Sequence, residues 1–482
     1  MNAPIARLFV GLLVLFALLV GFTSNWAVFD AEDLQAKTEN KRPLFEAQQI
    51  ERGKILTVDG EVIADSKQRG KGDALRYVRT YPLGNLFGNP IGYSFISQGA
   101  TGFERAAQDV LVGEENEFVS LLDQVRGQAQ EGSDVVTTLN ASAQRVATDA
   151  LADQASPGAV VAIEPQTGAV RVMASTPGYD PNLIPTEIAE LNKDPDAPLL
   201  DRTTQSTYPP GSTMKIVTAA AALDSGEFTP DTTLNADSPQ TFSGVPLANA
   251  GDQPFGTIDM RTALTNSVNT YWAQVGEQLG PETLLEYMRR FGFESDPEVE
   301  IPDEQKAPSG VYNSAGRLVD SGFDIARVAI GQGGEEGQLL ATPMQMAEVA
   351  ATVANRGTLM RPTLIQEIKD PDGRTAEQLD PEEQSEVISE ESAGQLAEMM
   401  TSVVEEGTAS ALTLGGTSFA GKTGTAEKNV ADGVNQVWFI GFAPVEDPQI
   451  AIAATVETCT GCFGGDTAGP IATAVMQDLL GQ

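Results

Sequence analysis

From Leu8 to Phe22 the chain is apolar without a break: Leu8-Phe9-Val10-Gly11-Leu12-Leu13-Val14-Leu15-Phe16-Ala17-Leu18-Leu19-Val20-Gly21-Phe22. No soluble surface accommodates such a run. With Thr23 to Val28 it reaches the roughly 20 residues that a helix needs to cross a bilayer. Arg7 stands before it, and Trp26 and Phe29 follow, where aromatic rings favour the membrane interface. The rival is a cleaved signal peptide, but no clear small-x-small cleavage site follows; Ala27 to Ala31 is the nearest approach. We therefore expect residues 1–30 to form a short cytoplasmic tip and an uncleaved anchor. The acidic flank of Asp30, Glu32 and Asp33 then lies outside, in the sense of the positive-inside rule, which here rests on Arg7 and the N-terminal amine. The chain is expected to be single-pass in the cytoplasmic membrane, with its bulk extracytoplasmic.

That bulk is large. The chain has 482 residues, of which 41% are apolar and 20% charged, enough for two or three domains with real cores. Its 30 basic and 67 acidic residues give a net charge of −37, a surface that repels phosphates and argues against a nucleic-acid partner. There is no histidine at all. This excludes Ser-His-Asp triads, Cys-His nucleophiles and His-ligated metals. Any nucleophile must be activated by another base, such as lysine. The two cysteines, Cys459 and Cys462, are too few for a zinc site without histidine. They follow an apolar strand and precede a Gly-rich loop. In an oxidising compartment they fit a disulfide closing a small loop, with two inert thiols as the alternative.

Residues 31–155 are mixed and polar. They hold short strand-like pieces at Lys54 to Val58 and Val135 to Leu139, a helical piece at Ser142 to Ala152, and a loop-like Gly127 to Gly132. Near Gly158 the pattern changes. Ala159 to Ile163 and Val170 to Ala174 read as two strands of a hairpin, joined by the turn Pro165-Gln166-Thr167-Gly168. Val437 to Phe442 and Ile450 to Thr458 read as strands again. Ala468 to Leu480 reads as a closing amphipathic helix with Pro470 in its first turn. Between these sheet ends lies a long helix-rich middle. Residues 156–482 are thus expected to be one α+β domain.

Three short motifs carry chemistry. Ser212-Thr213-Met214-Lys215 follows Tyr208-Pro209-Pro210-Gly211 and opens the apolar helical run Met214 to Leu223. At i and i+3 on a helix, Ser212 and Lys215 share a face. The positive helix N-terminus should disfavour a charged lysine and help it act as a base. Ser267-Val268-Asn269 stands 55 residues on, and Lys422-Thr423-Gly424-Thr425 a further 155. The latter, between Phe419-Ala420-Gly421 and Ala426-Glu427, reads as an edge strand, with Gly424 allowing close backbone approach. Lys422 and the hydroxyls of Thr423 and Thr425 suit a terminal carboxylate. Each motif alone also fits a bland reading: an N-cap serine, a polar loop, an ordinary strand.

Together, in this order, they match the S-x-x-K, S-D-N and K-T-G set of penicillin-interacting enzymes, with Val268 where that pattern has Asp. The chain resembles class B penicillin-binding proteins. Arg52-Gly53-Lys54-Ile55, Asp59-Gly60, Ile63-Ala64, Tyr81-Pro82, Gly92-Tyr93 and Gly102-Phe103-Glu104 resemble the signatures of that family's N-terminal pedestal, and Leu200-Asp201-Arg202 the approach to its nucleophile. The similarity spans about residues 45 to 480. The short segment after Lys422 is similar to the penicillin-binding protein A group of actinobacteria. The resemblance implies a penicillin-binding/β-lactamase-like transpeptidase fold: an antiparallel sheet flanked by helices plus a helical subdomain, with a pedestal over 31–155. It implies a D,D-transpeptidase that cross-links peptidoglycan stem peptides in growth and division. Ser212 is its nucleophile, Lys215 the base, Ser267 a proton carrier, Asn269 an orienting amide, and the amides of Ser212 and Thr425 the oxyanion hole. Lys422, Thr423, Gly424 and Thr425 hold substrate. β-Lactams are expected to stall it as acyl-enzymes, without metal or organic cofactor. The implied partners are a lipid-II-polymerising glycosyltransferase and other division or elongation proteins.

A D,D-carboxypeptidase or β-lactam hydrolase of the same fold is the main alternative. Class A β-lactamases add a glutamate in an E-x-x-L-N pattern after the serine; here Ile188 holds that place before Leu191-Asn192, and the stretch precedes Ser212. A β-lactam sensor needs a cytoplasmic output, for which about seven residues precede the apolar run. No glycosyltransferase domain fits between residues 30 and 155, against a bifunctional enzyme.

Overall fold

The apolar run folds as helix α1 (Ala3–Ser24), whose 22 residues span about 33 Å. It is long and apolar enough to cross a bilayer, and its large side chains face outward. The computed structural model describes residues 3–24, 50–71, 75–113, 131–334, 337–429 and 433–481. Trp26, Phe29, the acidic flank Asp30, Glu32 and Asp33, and the loop residues 127–130 lie outside the described residues.

The N-terminal region contributes β1 (Ile55–Leu56), β2 (Val62–Arg69), β3 (Arg76–Thr80), β4 (Asp134–Thr137) and helix α2 (Ala141–Ala152). The expected strand at Lys54 to Val58 shrinks to two residues. Asn140 caps α2 by accepting from the Ala143 amide, as a residue of its type should. Next come the hairpin β5 (Gly158–Ile163) and β6 (Val170–Thr176), and helices α3 (Lys215–Asp224), α4 (Met260–Thr265), α5 (Asn269–Arg290) and α6 (Pro343–Ala354). Strands β7 (Ile365–Lys369) and β8 (Thr375–Gln378) precede α7 (Glu390–Glu405). Strands β9 (Ala420–Asn429), β10 (Val434–Ala443) and β11 (Ile450–Thr460) precede the closing helix α8 (Ala468–Leu479).

Five strands form one antiparallel sheet in the order β9-β10-β11-β5-β6. The chain's two ends of the domain thus meet edge to edge, with Ala454 opposite Val160. Every residue of β5 is buried, and so are nine of the ten in β10. Side chains alternate along a strand, so unbroken burial means that both faces are covered. Helix α6 packs on β5, β10 and β11, while α8 packs on α2, β10 and β11. Helix α7 joins the edge strand β9 to α3 and α4. This is the α+β architecture that the sequence pattern predicts.

The second sheet corrects the expected division of labour. Its order is β8-β7-β4-β1-β2-β3. Strands β7 and β8 come from the middle of the chain, where helices were expected, and β7 pairs with β4 through Ile368 opposite Val135. The pedestal sheet is therefore closed by residues 365–378, far beyond residue 155. A short strand such as β4 has two edges to satisfy, and β1 satisfies only one of them.

The pedestal core holds a buried charge cluster. Arg52 Nε donates to Glu104 Oε2 at 2.8 Å and Arg79 Nε to Glu104 Oε1 at 2.6 Å, with the Tyr81 hydroxyl on the same oxygen at 3.2 Å. Burial alone pushes the Glu104 carboxyl up, but the charges and hydrogen bonds of Arg79 and Arg52 outweigh it and hold it below its usual value. Burial lowers Arg52 against the pull of Glu104. An arginine starts so far above neutrality that it stays charged, so the pair is ionic.

Candidate active site

Pro209-Pro210-Gly211 interrupts the chain, and Gly211–Met214 then makes one 3-10 turn before α3 begins at Lys215. Ser212 was expected to open the α-helix itself. It sits instead on the tighter turn, because the Gly211 amide is held by the Gly331 carbonyl at 2.9 Å and the Thr213 hydroxyl donates to the Pro210 carbonyl at 2.7 Å. The approach to the turn is latched to the sheet. Trp438 Nε1 donates to the Pro209 carbonyl at 2.9 Å. Arg202 Nε and the Tyr208 hydroxyl both reach Glu457 Oε1, at 2.8 and 2.6 Å.

Lys215 is fully buried on the first turn of α3. Its Nζ donates to the Ser267 carbonyl at 2.7 Å, the Ser267 hydroxyl at 3.2 Å and Asn269 Oδ1 at 2.7 Å. Ser267 can present both oxygens because its φ is +57°, a left-handed conformation that a serine rarely adopts. Helix α4, capped by Asp259 on the Thr262 amide, delivers the chain to that point. Asn269 starts α5, and its Nδ2 is fixed on the Ala248 carbonyl at 3.0 Å.

Lys422 arrives from the edge strand β9, also fully buried, and donates to the Ser267 hydroxyl and the Thr423 carbonyl, both at 2.9 Å. The Ser267 oxygen thus lies between two amines. Among the described residues neither amine forms an ion pair. Burial pushes Lys215 well below the usual lysine range, and the Lys422 charge pushes it further. Burial alone lowers Lys422 to about 7. Desolvation is the larger cause for Lys215 and the like charge the second, and both come from beyond the local helix.

Ser212 is half-buried, and among the described residues its hydroxyl has no hydrogen-bond partner. It lines a cleft of about 660 Å³ together with Ser267, Asn269, Thr423 and Thr425. Period-two alternation puts Thr423, Thr425 and Glu427 on the cleft face of β9. The Thr423 hydroxyl pairs with that of Thr408 at 2.6 Å. Gly424 does not face the cleft. A Cβ there would stand 2.7 Å from the Pro210 carbonyl and 2.9 Å from Thr213 Cγ2 and from Trp438 Cβ, so the glycine admits the chain's own Pro210–Thr213 turn. Sequence reasoning missed Thr408, Gln332 and Arg327, which also line the cleft. None carries a local signal; Arg327 is tied to Asp324 three residues back. Cys459 and Cys462 form a disulfide beside the cleft.

Residues 158–477 match the penicillin binding protein transpeptidase domain, and residues 52–135 the penicillin binding protein A dimerisation domain. The chain belongs to the penicillin-binding protein transpeptidases, in their class B branch. It is 35% identical to the peptidoglycan D,D-transpeptidase PbpA of Mycolicibacterium smegmatis, across all of this chain and 99% of that protein. The crystal structure of PBPA from Mycobacterium tuberculosis superposes with a TM-score of 0.78 at 31% identity, covering 90% of this chain and all of that one. Its penicillin G acyl-enzyme complex also superposes at 0.78, with 32% identity, 89% of this chain and all of that one.

Proposed function

We propose that this protein is a serine D,D-transpeptidase that cross-links peptidoglycan stem peptides through an acyl-enzyme and is acylated by β-lactams. The observation that carries the reading is the chain of hydrogen bonds Asn269–Lys215–Ser267–Lys422, two depressed lysines sharing one hydroxyl beside a free Ser212. The likeness to PbpA, a peptidoglycan D,D-transpeptidase, and to the penicillin G acyl-enzyme of a related protein supports it.

In this mechanism Ser212 Oγ attacks the carbonyl carbon between the two terminal D-alanines. The Lys215 amine, neutral because burial disfavours its charge, takes the hydroxyl proton. The amides of Ser212 and Thr425 receive the developing oxyanion, a contribution often worth about 3–4 kcal/mol. The C–N bond breaks, and the proton passes from Lys215 by way of Ser267 to the departing D-alanine nitrogen. An amine from a neighbouring stem then attacks the ester, Ser212 leaves, and the proton returns to it through Lys215. Lys422, when protonated, and the hydroxyls of Thr423 and Thr425 hold the donor's terminal carboxylate. A β-lactam follows the first half of this course.

Helix α1 would anchor the enzyme, with residues 31–155 and the strands β7 and β8 as a pedestal and the rest of 156–482 as the catalytic domain outside the membrane. The pedestal would meet a lipid-II-polymerising glycosyltransferase and other division or elongation proteins. The hydrolase reading gains nothing from the fold: Glu190 lies exposed on the helix Ile184–Leu191 and does not line the cleft.

Intact-mass spectrometry after penicillin exposure, with peptide mapping, tests the proposal. The adduct is expected on Ser212 and lost in Ser212→Ala. An adduct that persists in that variant would place the nucleophile elsewhere.

A further inference from the structure

One wall of the cleft is a strap. After β11 the chain runs through Gly461 to Thr467, crosses the middle of β10 and β9 at Trp438 and Gly424, and enters α8 at Ala468. The crossing is close. A Cβ on Gly464 would stand 2.2 Å from the Trp438 carbonyl and 2.6 Å from the Gly424 carbonyl, so the strap's backbone lies directly on the strand bearing Lys422 to Thr425. The Gly464 amide donates to the Thr425 hydroxyl at 3.4 Å. A Cβ on Gly465 would come within 2.6 Å of the Thr408 carbonyl. Phe463, Gly464, Gly465 and Asp466 all line the cleft.

Besides the Gly461 amide, which donates to the Gly433 carbonyl at 2.9 Å, two side-chain ties set where the strap begins. One is the disulfide between Cys459, still paired opposite Asn435 in the sheet, and Cys462. The other is Asn435 itself, whose buried Nδ2 donates to the Cys462 carbonyl at 3.0 Å. Beyond them Phe463 is 58% exposed, so little apolar packing holds the segment down. A register error at Cys462 passes straight to Gly464, two residues on, and from there to the strand that carries Thr425.

We propose that Cys459 and Cys462 are positioning residues for acyl transfer. Their disulfide seats the strap on β9 and thereby fixes Thr425 opposite Ser212. The inference rests on the serine acyl-enzyme reading above. Misplacing a reacting group by about 1 Å costs up to 10²-fold in rate. The strap is only one of several supports of β9, so we expect about a tenfold loss of acylation rate when the disulfide is open.

The test uses the full-length protein in detergent micelles. A water-soluble phosphine reduces the disulfide to two thiols, taking its oxygen from water, and mass spectrometry confirms the gain of two hydrogens. Labelling by a fluorescent penicillin is then followed in time. The expected result is a rate about tenfold lower at unchanged final stoichiometry, restored on reoxidation. The double variant Cys459→Ser, Cys462→Ser is expected to be slow and indifferent to the phosphine. Reduced protein that acylates at the oxidised rate would overturn the proposal. So would a loss of final stoichiometry in step with the rate, since the disulfide would then hold the fold and not the strap. Failure of the oxidised protein to label at Ser212 would instead overturn the acyl-enzyme reading.

Discussion

Two of the molecule's buried charge clusters behave in opposite ways. In the pedestal, Arg52 and Arg79 meet a carboxylate, and Glu104 stays ionised beneath a closed core. Beneath the cleft, Lys215 and Lys422 meet, among the described residues, only hydroxyls, carbonyls and an amide, and both lose their grip on a proton. The number of buried cations is the same; the partner differs. A compensated charge keeps its ordinary state and serves as a fastener. An uncompensated amine is driven toward neutrality, where it can take a proton from a hydroxyl.

The comparison can be broken at its reactive end first. Lys215→Ala is expected to slow acylation by about 10²–10⁴-fold, the usual worth of a positioned base. Its unfolding midpoint should hold or rise, because a desolvated amine is gone. Stopped-flow labelling and thermal unfolding check both halves, and near-normal labelling would show that another base operates. At the pedestal end, Glu104→Gln leaves two buried guanidinium groups facing each other. Breaking such a pair costs about 3–5 kcal/mol. Urea unfolding should show that loss, with the labelling rate per folded molecule unchanged; a loss under about 1 kcal/mol would put the cluster among weak surface pairs.

The gentlest effect is on pH. Lys422 titrates at about 7 in the folded chain against an ordinary 10.5. Between those values the unfolded chain binds the extra proton, so stability rises with pH across that window and is flat below it. Measured relative to Lys422→Met, wild-type stability should climb from about pH 7 toward 10. A difference independent of pH would mean that the Lys422 amine is not depressed.

Legibility followed chain distance. The hairpin β5–β6, the strands β10 and β11, and helices α2 and α8 could be read to within a few residues, since each announces itself by its own period or cap. Gly424 was noticed for its type, but of the three groups that crowd it, Pro210, Thr213 and Trp438, the first two lie some 210 residues away in the chain. Strands β7 and β8 went unread because they are rich in polar residues and because β7, on which β8 pairs, finds its other partner in β4, more than 220 residues earlier.

By itself the sequence determined the chemistry on offer. Without histidine, and with a lysine three residues after a serine that follows Pro-Pro-Gly, a lysine-activated hydroxyl was the reading open to it, and the apolar run marked one helix as long and apolar enough to cross a membrane. Only the tertiary structure decided how weakly that lysine holds its proton. Its depressed proton affinity comes from burial and from Lys422, 207 residues away, and neither is a property of the local helix. Arg79 on Glu104 and Glu457 beneath Arg202 are likewise fixed by packing. Periodicity and capping act within a few turns of chain, whereas desolvation depends on everything that closes over a group.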